Sequence, residues 1–331
     1  MNRQKRRLWR CAVLWMTVWL LLCGTVHAAG GTLTLRYAFD GVAFSIYRVA
    51  EPTAAGYALT GPFDDCRVRL PRPEDGASVW KDAAETLAGR LKLPLSYDSF
   101  TLPKDQKKVR RFTEETLVVF GMPTYAGRVP NKALPFLKTL FVGGGAPAVA
   151  LVTFGNRSYD SSLTELNEEL TAAGFRVFAA GAFARPHAFA NIGHEHPTKE
   201  DNNLLETLLG VAEVKIGQED FGSITIKDGA PVGPYYIPLG EDGEPAKFLK
   251  AKPLTDFEKC DHCGKCAAVC PMGAINKDNT DEVPGTCIKC QACIVYCHTH
   301  AKFFHDDRFL SHKAMLEKNY VRTAQSEIFY R

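Results

Sequence analysis

Eight of the 11 cysteines fall between residues 260 and 297, in two runs that share one spacing. Each run reads Cys-x2-Cys-x2-Cys-x3-Cys, and the second begins 27 residues after the first. Cysteines clustered at short, fixed intervals are typical of metal sites rather than of disulfides. A zinc site usually pairs two Cys-x2-Cys knuckles across a longer interval and has no need of the cysteine after the three-residue gap. The spacing therefore predicts two [4Fe–4S] clusters.

The two runs resemble the ligand pattern of bacterial two-cluster ferredoxins, in which a proline follows the fourth cysteine, as Pro271 does here. In that pattern a tight loop gives three thiolates to one cluster, and the fourth cysteine ligates the other. The expected ligand sets are Cys260, Cys263, Cys266 and Cys297 for one cluster, and Cys287, Cys290, Cys293 and Cys270 for the other. His298 replaces the proline of the second run. Because the proline shapes the backbone and is not a ligand, we expect both clusters to bind. We interpret His298, His300 and His305 as exposed loop residues.

Strands and helices alternate ahead of the cysteines. Apolar, strand-like runs cover residues 115–121, 148–154 and 176–183, and helical spacing covers 131–141, 161–173 and 199–214. This alternation predicts an α/β fold with a parallel sheet covered by helices on both faces. His187 and the stretch His194–His196 are interpreted as polar loop residues.

Three stretches, together with the cysteine runs, resemble a bacterial family in which a flavodoxin-like domain is fused to a two-cluster ferredoxin. They are FGMPTYAGRVPNKALPFLK (120–138), VTFGNRSYDSSLTEL (152–166) and YYIPLGEDGEPAKFLKAKP (235–253). The resemblance implies a doubly wound sheet with FMN at the carboxyl ends of its central strands. The implied FMN contacts are Thr124, Tyr125 and Gly127 in one loop, and Gly155, Asn156 and Tyr159 in the next.

The phosphate loop of that family has no counterpart in the sequence. Its members open with a strand and a Thr/Gly-rich loop that binds the FMN phosphate at a helix N-terminus. Residues 67–78 stand at that place, and Glu74 and Asp75 would repel a phosphate. We therefore expect Cys66–Leu70 to replace the first strand, and FMN to bind weakly or not at all.

The first ninety residues resemble pilin-type surface proteins of Gram-positive bacteria. A basic stretch, an apolar run and Val26-His27-Ala28 make residues 1–29 signal peptide-like, and GTLTLRYAFDGVAFSIYRVA (31–50) follows. Its alternation predicts a hairpin that turns at Asp40-Gly41. A signal peptide predicts export or a membrane location, whereas iron–sulfur clusters indicate the reducing cytoplasm. The sequence leaves this conflict open.

The predicted organisation has six parts. They are the signal-like segment (1–29), a β-rich pilin-like segment (30–76), a truncated flavodoxin-like domain (77–216), a linker (217–250), an α+β ferredoxin domain (251–310) and a C-terminal helix (311–331). Net charge is +3, and five basic residues lie among the first ten, so charge gives no case for nucleic-acid binding. Membrane contact is expected only through the N-terminus.

The sequence favours an electron carrier that relays electrons through two [4Fe–4S] clusters to or from a redox protein partner, with FMN as a conditional cofactor. One alternative is an FMN and iron–sulfur oxidoreductase with its own small-molecule substrate, although no nucleophile or dinucleotide motif stands in the chain. A surface or structural protein, following the pilin-like N-terminus, is the other alternative.

Overall fold

A computed structural model describes residues 33–37, 50–53, 56–59 and 79–331. The strands of this part are β1 (Leu33–Tyr37), β2 (Ala50–Thr53), β3 (Gly56–Leu59), β4 (Leu95–Ser99), β5 (Arg110–Arg111), β6 (Val118–Pro123), β7 (Phe141–Val142), β8 (Pro147–Phe154), β9 (Arg176–Ala184), β10 (Leu254–Thr255), β11 (Lys302–Phe303) and β12 (Glu327–Tyr330). Its helices are α1 (Val79–Leu91), α2 (Leu134–Leu140), α3 (Ser162–Ala172), α4 (Lys199–Gly217), α5 (Lys265–Ala268), α6 (Ala292–Val295) and α7 (Asp307–Asn319). Within these ranges, no helix has the length and apolar character needed to span a membrane.

A six-stranded sheet with the order β4-β1-β6-β8-β9-β12 organises the described residues. Neighbouring strands run parallel, except that β12 is antiparallel to β9. Numbered along the chain, the five parallel strands have the order 2-1-3-4-5, which is the flavodoxin-like order. The predicted doubly wound α/β fold is therefore confirmed, and its switch point lies between β1 and β6.

The first strand of the sheet differs from our expectation. Both edges of β1 are occupied, because Leu35 pairs with Tyr97 of β4 on one side and with Val119 of β6 on the other. The predicted hairpin turn at Asp40-Gly41 and the second strand of that hairpin, residues 42–48, lie outside the described residues. β1 also holds the position that we had given to residues 66–70, which lie outside the described residues together with the signal-like segment.

Helices cover both faces of the sheet, as the buried strands require. Every residue of β6 and β8 is buried, the pattern of parallel strands with covered faces. On one face α1 and α4 pack through side chains such as Leu87 and Leu208. On the other face α2 and α3 contribute Leu137 and Leu163. Trp80 of α1 packs so closely on β6 that a Cβ at Gly121 would lie 2.4 Å from its Cγ.

The C-terminal helix predicted over residues 311–331 has to be corrected. Asp306 caps the N-terminus of α7, which ends at Asn319. Residues 327–330 form β12 and extend the sheet beside β9. Over only four residues, the alternating pattern of a strand cannot be distinguished from the apolar spacing of a helix. Residues 327–330 form a strand because they pair with the edge of β9. The sheet thus receives a strand from beyond the cysteine runs.

The predicted linker, residues 217–250, has little regular structure but packs on the sheet domain. Ile224 and Ile226 join the core on the α2/α3 face. The Tyr235 hydroxyl donates to the Val129 carbonyl at 2.7 Å. Ile224 lies beside Phe175 and Val177 at the start of β9. Tyr235 contacts the loop after β6, so the segment packs along the sheet domain from its amino edge to its carboxyl edge.

Candidate iron–sulfur and flavin sites

Two short helices carry the cysteine runs and follow one backbone plan. α5 and α6 begin 27 residues apart, and each follows a left-handed N-cap residue, Gly264 and Gln291. Left-handed conformations also repeat at His262 and Lys289, with φ of 59° and 60°. The antiparallel pair β10–β11 joins the start of this segment to its end. The sequence repeat is therefore also a repeat of loop geometry, which is what two equivalent metal-binding loops require.

One predicted ligand set surrounds a single cavity. The four thiols of this inner set line it together, namely Cys270, Cys287, Cys290 and Cys293. Cys293 is buried. Burial raises the pKa of the Cys290 thiol to about 12, so without bound iron this group is a thiol rather than a thiolate at neutral pH. Iron binding there must displace protons.

The second predicted set lies at the surface, and Cys263 is its exposed member. Cys263 and Cys266 lie close enough to interact electrostatically. The Cys263 Sγ is 4.0 Å from Nδ1 of His298, which follows Cys297. Nε2 of His298 in turn lies 2.9 Å from an Asp261 carboxylate oxygen. We call Cys260, Cys263, Cys266 and Cys297 the outer set.

The fourth cysteine of each run accepts the same backbone hydrogen bond. The Ala274 amide donates to the Cys270 Sγ at 3.2 Å, and the Ala301 amide donates to the Cys297 Sγ at 3.2 Å. Burial opposes ionisation of Cys297, but hydrogen bonds from Thr299 and the backbone outweigh it and lower its pKa. Amide donors on thiolate sulfur are a feature of iron–sulfur sites, where they tune the reduction potential. The donor chemistry of the segment therefore fits [4Fe–4S] clusters.

The predicted flavin contacts after β6 lie in a closed turn. Tyr125 and Arg128 exchange two backbone hydrogen bonds. The Thr124 Oγ1 lies 2.6 Å from the Ser162 Oγ. Gly127 has a φ of +75°, and a Cβ there would lie 2.0 Å from the Asp160 carboxylate. The space next to the Gly127 backbone is therefore occupied by the Asp160 carboxylate.

The predicted contacts after β8 are engaged by other parts of the chain. Asn156 is buried, and its Nδ2 donates to the carbonyls of Tyr320 and Arg322. The Tyr159 hydroxyl donates to Glu327 of β12 at 2.7 Å. The His187 ring covers Gly155, where a Cβ would lie 2.5 Å from its Cδ2. The six predicted residues thus line the carboxyl edge, but a flavin could meet the second loop only through its backbone.

Two buried polar pairs were not found from the sequence. His196 is buried rather than in a polar surface loop, and its Nδ1 lies 2.6 Å from an Asp201 oxygen. Asp201 also completes a capping box with Thr198 at the start of α4, and the Thr198-x-x-Asp201 spacing was the available signal. Arg128, in the predicted flavin loop, forms two hydrogen bonds to the Glu165 carboxylate. This pairing makes Arg128 unavailable as a phosphate ligand.

Comparison with known families identifies the cysteine segment. Residues 253–276 and residues 284–300 each match a family model described as a 4Fe-4S binding domain. The two matches cover the first and the second cysteine run. The iron–sulfur character predicted from the spacing is therefore confirmed.

A curated relative and a solved structure also show similarity. An uncharacterized ferredoxin of Methanocaldococcus jannaschii is 34% identical over 73 residues, which make up 20% of this chain and 50% of the relative. The chain thus spans about half the length of this curated relative. A flavodoxin of Streptococcus pneumonia TIGR4 aligns with a TM-score of 0.27 and 13% identity, covering 56% of this chain and 99% of the flavodoxin. The fold assignment rests on the strand order and not on this likeness.

Proposed function

We propose that the protein is an electron carrier that holds two [4Fe–4S] clusters, one on the inner and one on the outer cysteine set. The observation that carries the proposal is the gathering of Cys270 with Cys287, Cys290 and Cys293 around one cavity. Cys270 comes from the other run, so this is the exchange of the fourth ligand that a two-cluster ferredoxin needs. When bound, such clusters accept and release single electrons.

The chain's own residues supply the protein part of this chemistry. Eight thiolates fix the clusters, and the amides of Ala274 and Ala301 stabilise the fourth thiolate of each run. The buried residues Ala274, Ile275 and Val283 form an apolar cluster with Cys293 of the inner set. A redox protein is the proposed partner, because Cys263 of the outer set is exposed and a cluster held there could exchange electrons across a protein contact.

Anaerobic purification with quantified iron and acid-labile sulfide tests this proposal. Roughly eight irons and eight sulfides per chain are expected from two cubane clusters. The loaded protein should bleach on reduction with dithionite and recover its absorbance when ferricyanide reoxidises it. Four irons or fewer per chain, or bound zinc in place of iron, would contradict the proposal of a carrier with two clusters.

FMN chemistry is the second candidate, and the strand order favours it. In sheets of this order FMN binds at the switch point, which here lies between β1 and β6. Among the described residues, the buried indole N–H of Trp80, at the start of α1, lacks a hydrogen-bond partner. The loop that would bind the phosphate falls outside the described residues. In this candidate the protein is an oxidoreductase whose flavin exchanges electrons with the clusters.

Titration with FMN and with riboflavin distinguishes the two candidates. A site built for the cofactor should bind FMN more tightly than riboflavin, because only FMN has the phosphate. If neither flavin binds, the oxidoreductase candidate is ruled out and the electron carrier remains. The pilin-like alternative rests on residues outside the described part and stays a prediction.

A further inference from the structure

The two cysteine sets have different surroundings, and the inference that follows rests on the proposed two-cluster function. Cys263 of the outer set is exposed, whereas Cys293 of the inner set is buried. Phe257, whose ring stacks on His262 between Cys260 and Cys263, is 53% exposed. The other six thiols are partly exposed, so the outer set differs from the inner set in having one thiol that a molecule in solution reaches directly.

The inner set faces the sheet domain. Met272 and Ile288, which line the inner cavity, also pack against the core on the α2/α3 face of the sheet. Gly273, next to Met272, lies against the side chains of Leu102 and Pro103. The inner cysteines are therefore joined to the sheet domain by continuous packing.

A column of four rings leads from the inner cavity to the carboxyl edge of the sheet. Phe304 lines the cavity and stacks on Phe309, with ring centroids 4.7 Å apart. Phe309 contacts Phe189 at 4.8 Å, and Phe189 contacts His187 at 4.4 Å. His187 covers Gly155. Because electron tunnelling weakens steeply across gaps, an unbroken column is a better path than loosely packed chain.

Charges of opposite sign lie beside the two sets. The Lys289 ammonium lies 3.2 Å from the Cys287 carbonyl, and Lys302 is close enough to Cys293 to act on its thiol. Beside the outer set, the Asp261 carboxylate accepts a hydrogen bond from the Cys263 amide at 3.2 Å. Reduction adds negative charge, so a lysine favours it and an aspartate opposes it. A substitution can therefore remove the charge beside one cysteine set without changing the charge beside the other set.

We propose that electrons enter the protein at the outer set and leave it from the inner set toward the carboxyl edge of the sheet. In one passage a soluble one-electron donor is oxidised and the outer centre is reduced. That electron then passes to the inner centre and on to a one-electron acceptor bound at the carboxyl edge, for which a flavin has the required chemistry. The donor loses one electron and the acceptor gains it, so that both centres return to their starting state and no proton or bond is transferred. The inner set does not exchange electrons with solution directly.

Two near-isosteric substitutions identify each centre in a redox titration of the loaded protein. Asp261→Asn keeps an oxygen for the Cys263 amide and should raise the potential of the outer centre only. Lys289→Gln should lower the potential of the inner centre only, and glutamine tolerates a left-handed backbone, as Gln291 shows two residues later with a φ of 65°. If the parent protein gives a single wave, each variant should split it. Glu115→Gln and Lys132→Gln, exposed in the sheet domain, are the matched controls and should move neither centre.

A soluble dysprosium chelate then shows which centre faces the solution. In half-reduced samples the chelate should speed the EPR relaxation of the centre that Asp261→Asn moves and leave the other unchanged. Equal enhancement at both centres, stronger enhancement at the centre that Lys289→Gln moves, or both substitutions shifting the same wave would overturn the inference. A chain with fewer than two clusters would instead overturn the proposed function, which the iron count reveals before any titration.

Discussion

The Ala324 amide donates a hydrogen bond of 2.9 Å to Oδ1 of Asn156, which lies 168 residues earlier in the chain. Nδ2 of the same side chain donates to the carbonyls of Tyr320 and Arg322 at 2.9 and 2.7 Å. A single amide group thus fixes the segment that enters β12 onto the loop after β8. Asn156 has a left-handed backbone with φ of 58°, which asparagine tolerates better than most residues.

Removing the Asn156 side chain should loosen the C-terminal segment. Asn156→Gly keeps the left-handed backbone free of strain but leaves one amide and two carbonyls without their partner. Each unsatisfied buried group costs at most about 1–3 kcal/mol. We therefore expect the free energy of unfolding to fall by about 2 kcal/mol. We also expect faster amide hydrogen exchange in β12. Asn202→Gly, on the exposed face of α4, is the control for exchange. Protection of β12 equal to that of the parent would contradict the role given to Asn156.

Replacing one inner cysteine should remove one cluster and spare the other. Cys293→Ala is expected to lower the iron content from roughly eight to roughly four per chain, because the inner set then has three thiols. Cys66→Ala, outside both runs, serves as the control and should keep the full iron content. Iron and sulfide assays on anaerobically purified protein give the answer. A Cys293→Ala protein that retains eight irons would show that the ligand sets are assigned wrongly.

Arg110 should be among the most sensitive positions of the sheet domain. Its side chain is 1% exposed and lies 3.0 Å from Asp98, and it also donates to the Ser99 and Asp105 carbonyls. Breaking a buried pair from one side costs about 3–5 kcal/mol, and here the Asp98 carboxylate would keep only the more distant contact with the exposed Lys108 among its two ion pairs, at 3.8 Å. We therefore expect Arg110→Met to lower the free energy of unfolding by about that amount, as measured by urea denaturation.

The matched control for Arg110 is the exposed pair of Arg308 and Asp242, whose side chains are 44% and 48% exposed. Arg308→Met makes the same chemical change at the surface, where an ion pair contributes about 0–1 kcal/mol. Similar losses for the two variants would contradict a structural role for the buried pair.

Acid should destabilise the fold partly through His187. Burial, followed by the nearby charges of His312 and Arg157, lowers its pKa from 6.5 to about 4. Between these values the unfolded chain binds the proton more readily, so this contribution to stability is complete above pH 6.5 and is lost as the pH falls through 4. The loss has a slope of at most about 1.4 kcal/mol per pH unit.

His187→Gln keeps an acceptor for the Ala190 amide, which donates to the His187 Nδ1 at 3.1 Å, but removes the titration. Urea unfolding at several pH values should give a flatter curve between pH 6.5 and 4 than the parent gives. His194→Gln, in the exposed part of the same loop, should leave the curve as it is. Parallel curves for the parent and His187→Gln would contradict the buried, neutral histidine.

The cysteine spacing identifies an iron–sulfur segment because three ligands of each run are local, whereas the two ligand sets stay a prediction. Each three-cysteine loop closes within seven residues, so the sequence alone states which side chains meet. The apolar runs of β6 and β8 could also be recognised as strands from the sequence, since strands buried on both faces have continuous apolar sequences. Both features depend on residues that lie close together in the chain.

Features that depend on distant partners escaped prediction. Alternation over residues 33–37 indicates a strand but not its neighbours, and its pairing with both β4 and β6 is a tertiary choice. His196 resembles any loop histidine until Asn156, 40 residues away, approaches to 3.2 Å. The loops after β6 and β8 lie at the carboxyl edge of the sheet, and flavin contact by them stays a prediction. The sequence could not show that β12 and the segment before it engage Asn156 and Tyr159.

The cysteine segment lies between α4 and β12 in the chain, and both belong to the sheet domain. A module tethered at one end searches through many orientations, and the effective concentration of its groups depends on the tether. With both ends anchored to one sheet, that search is largely removed. Electron exchange between the inner set and the sheet edge should therefore follow first-order kinetics, with a rate constant that does not change when the protein is diluted.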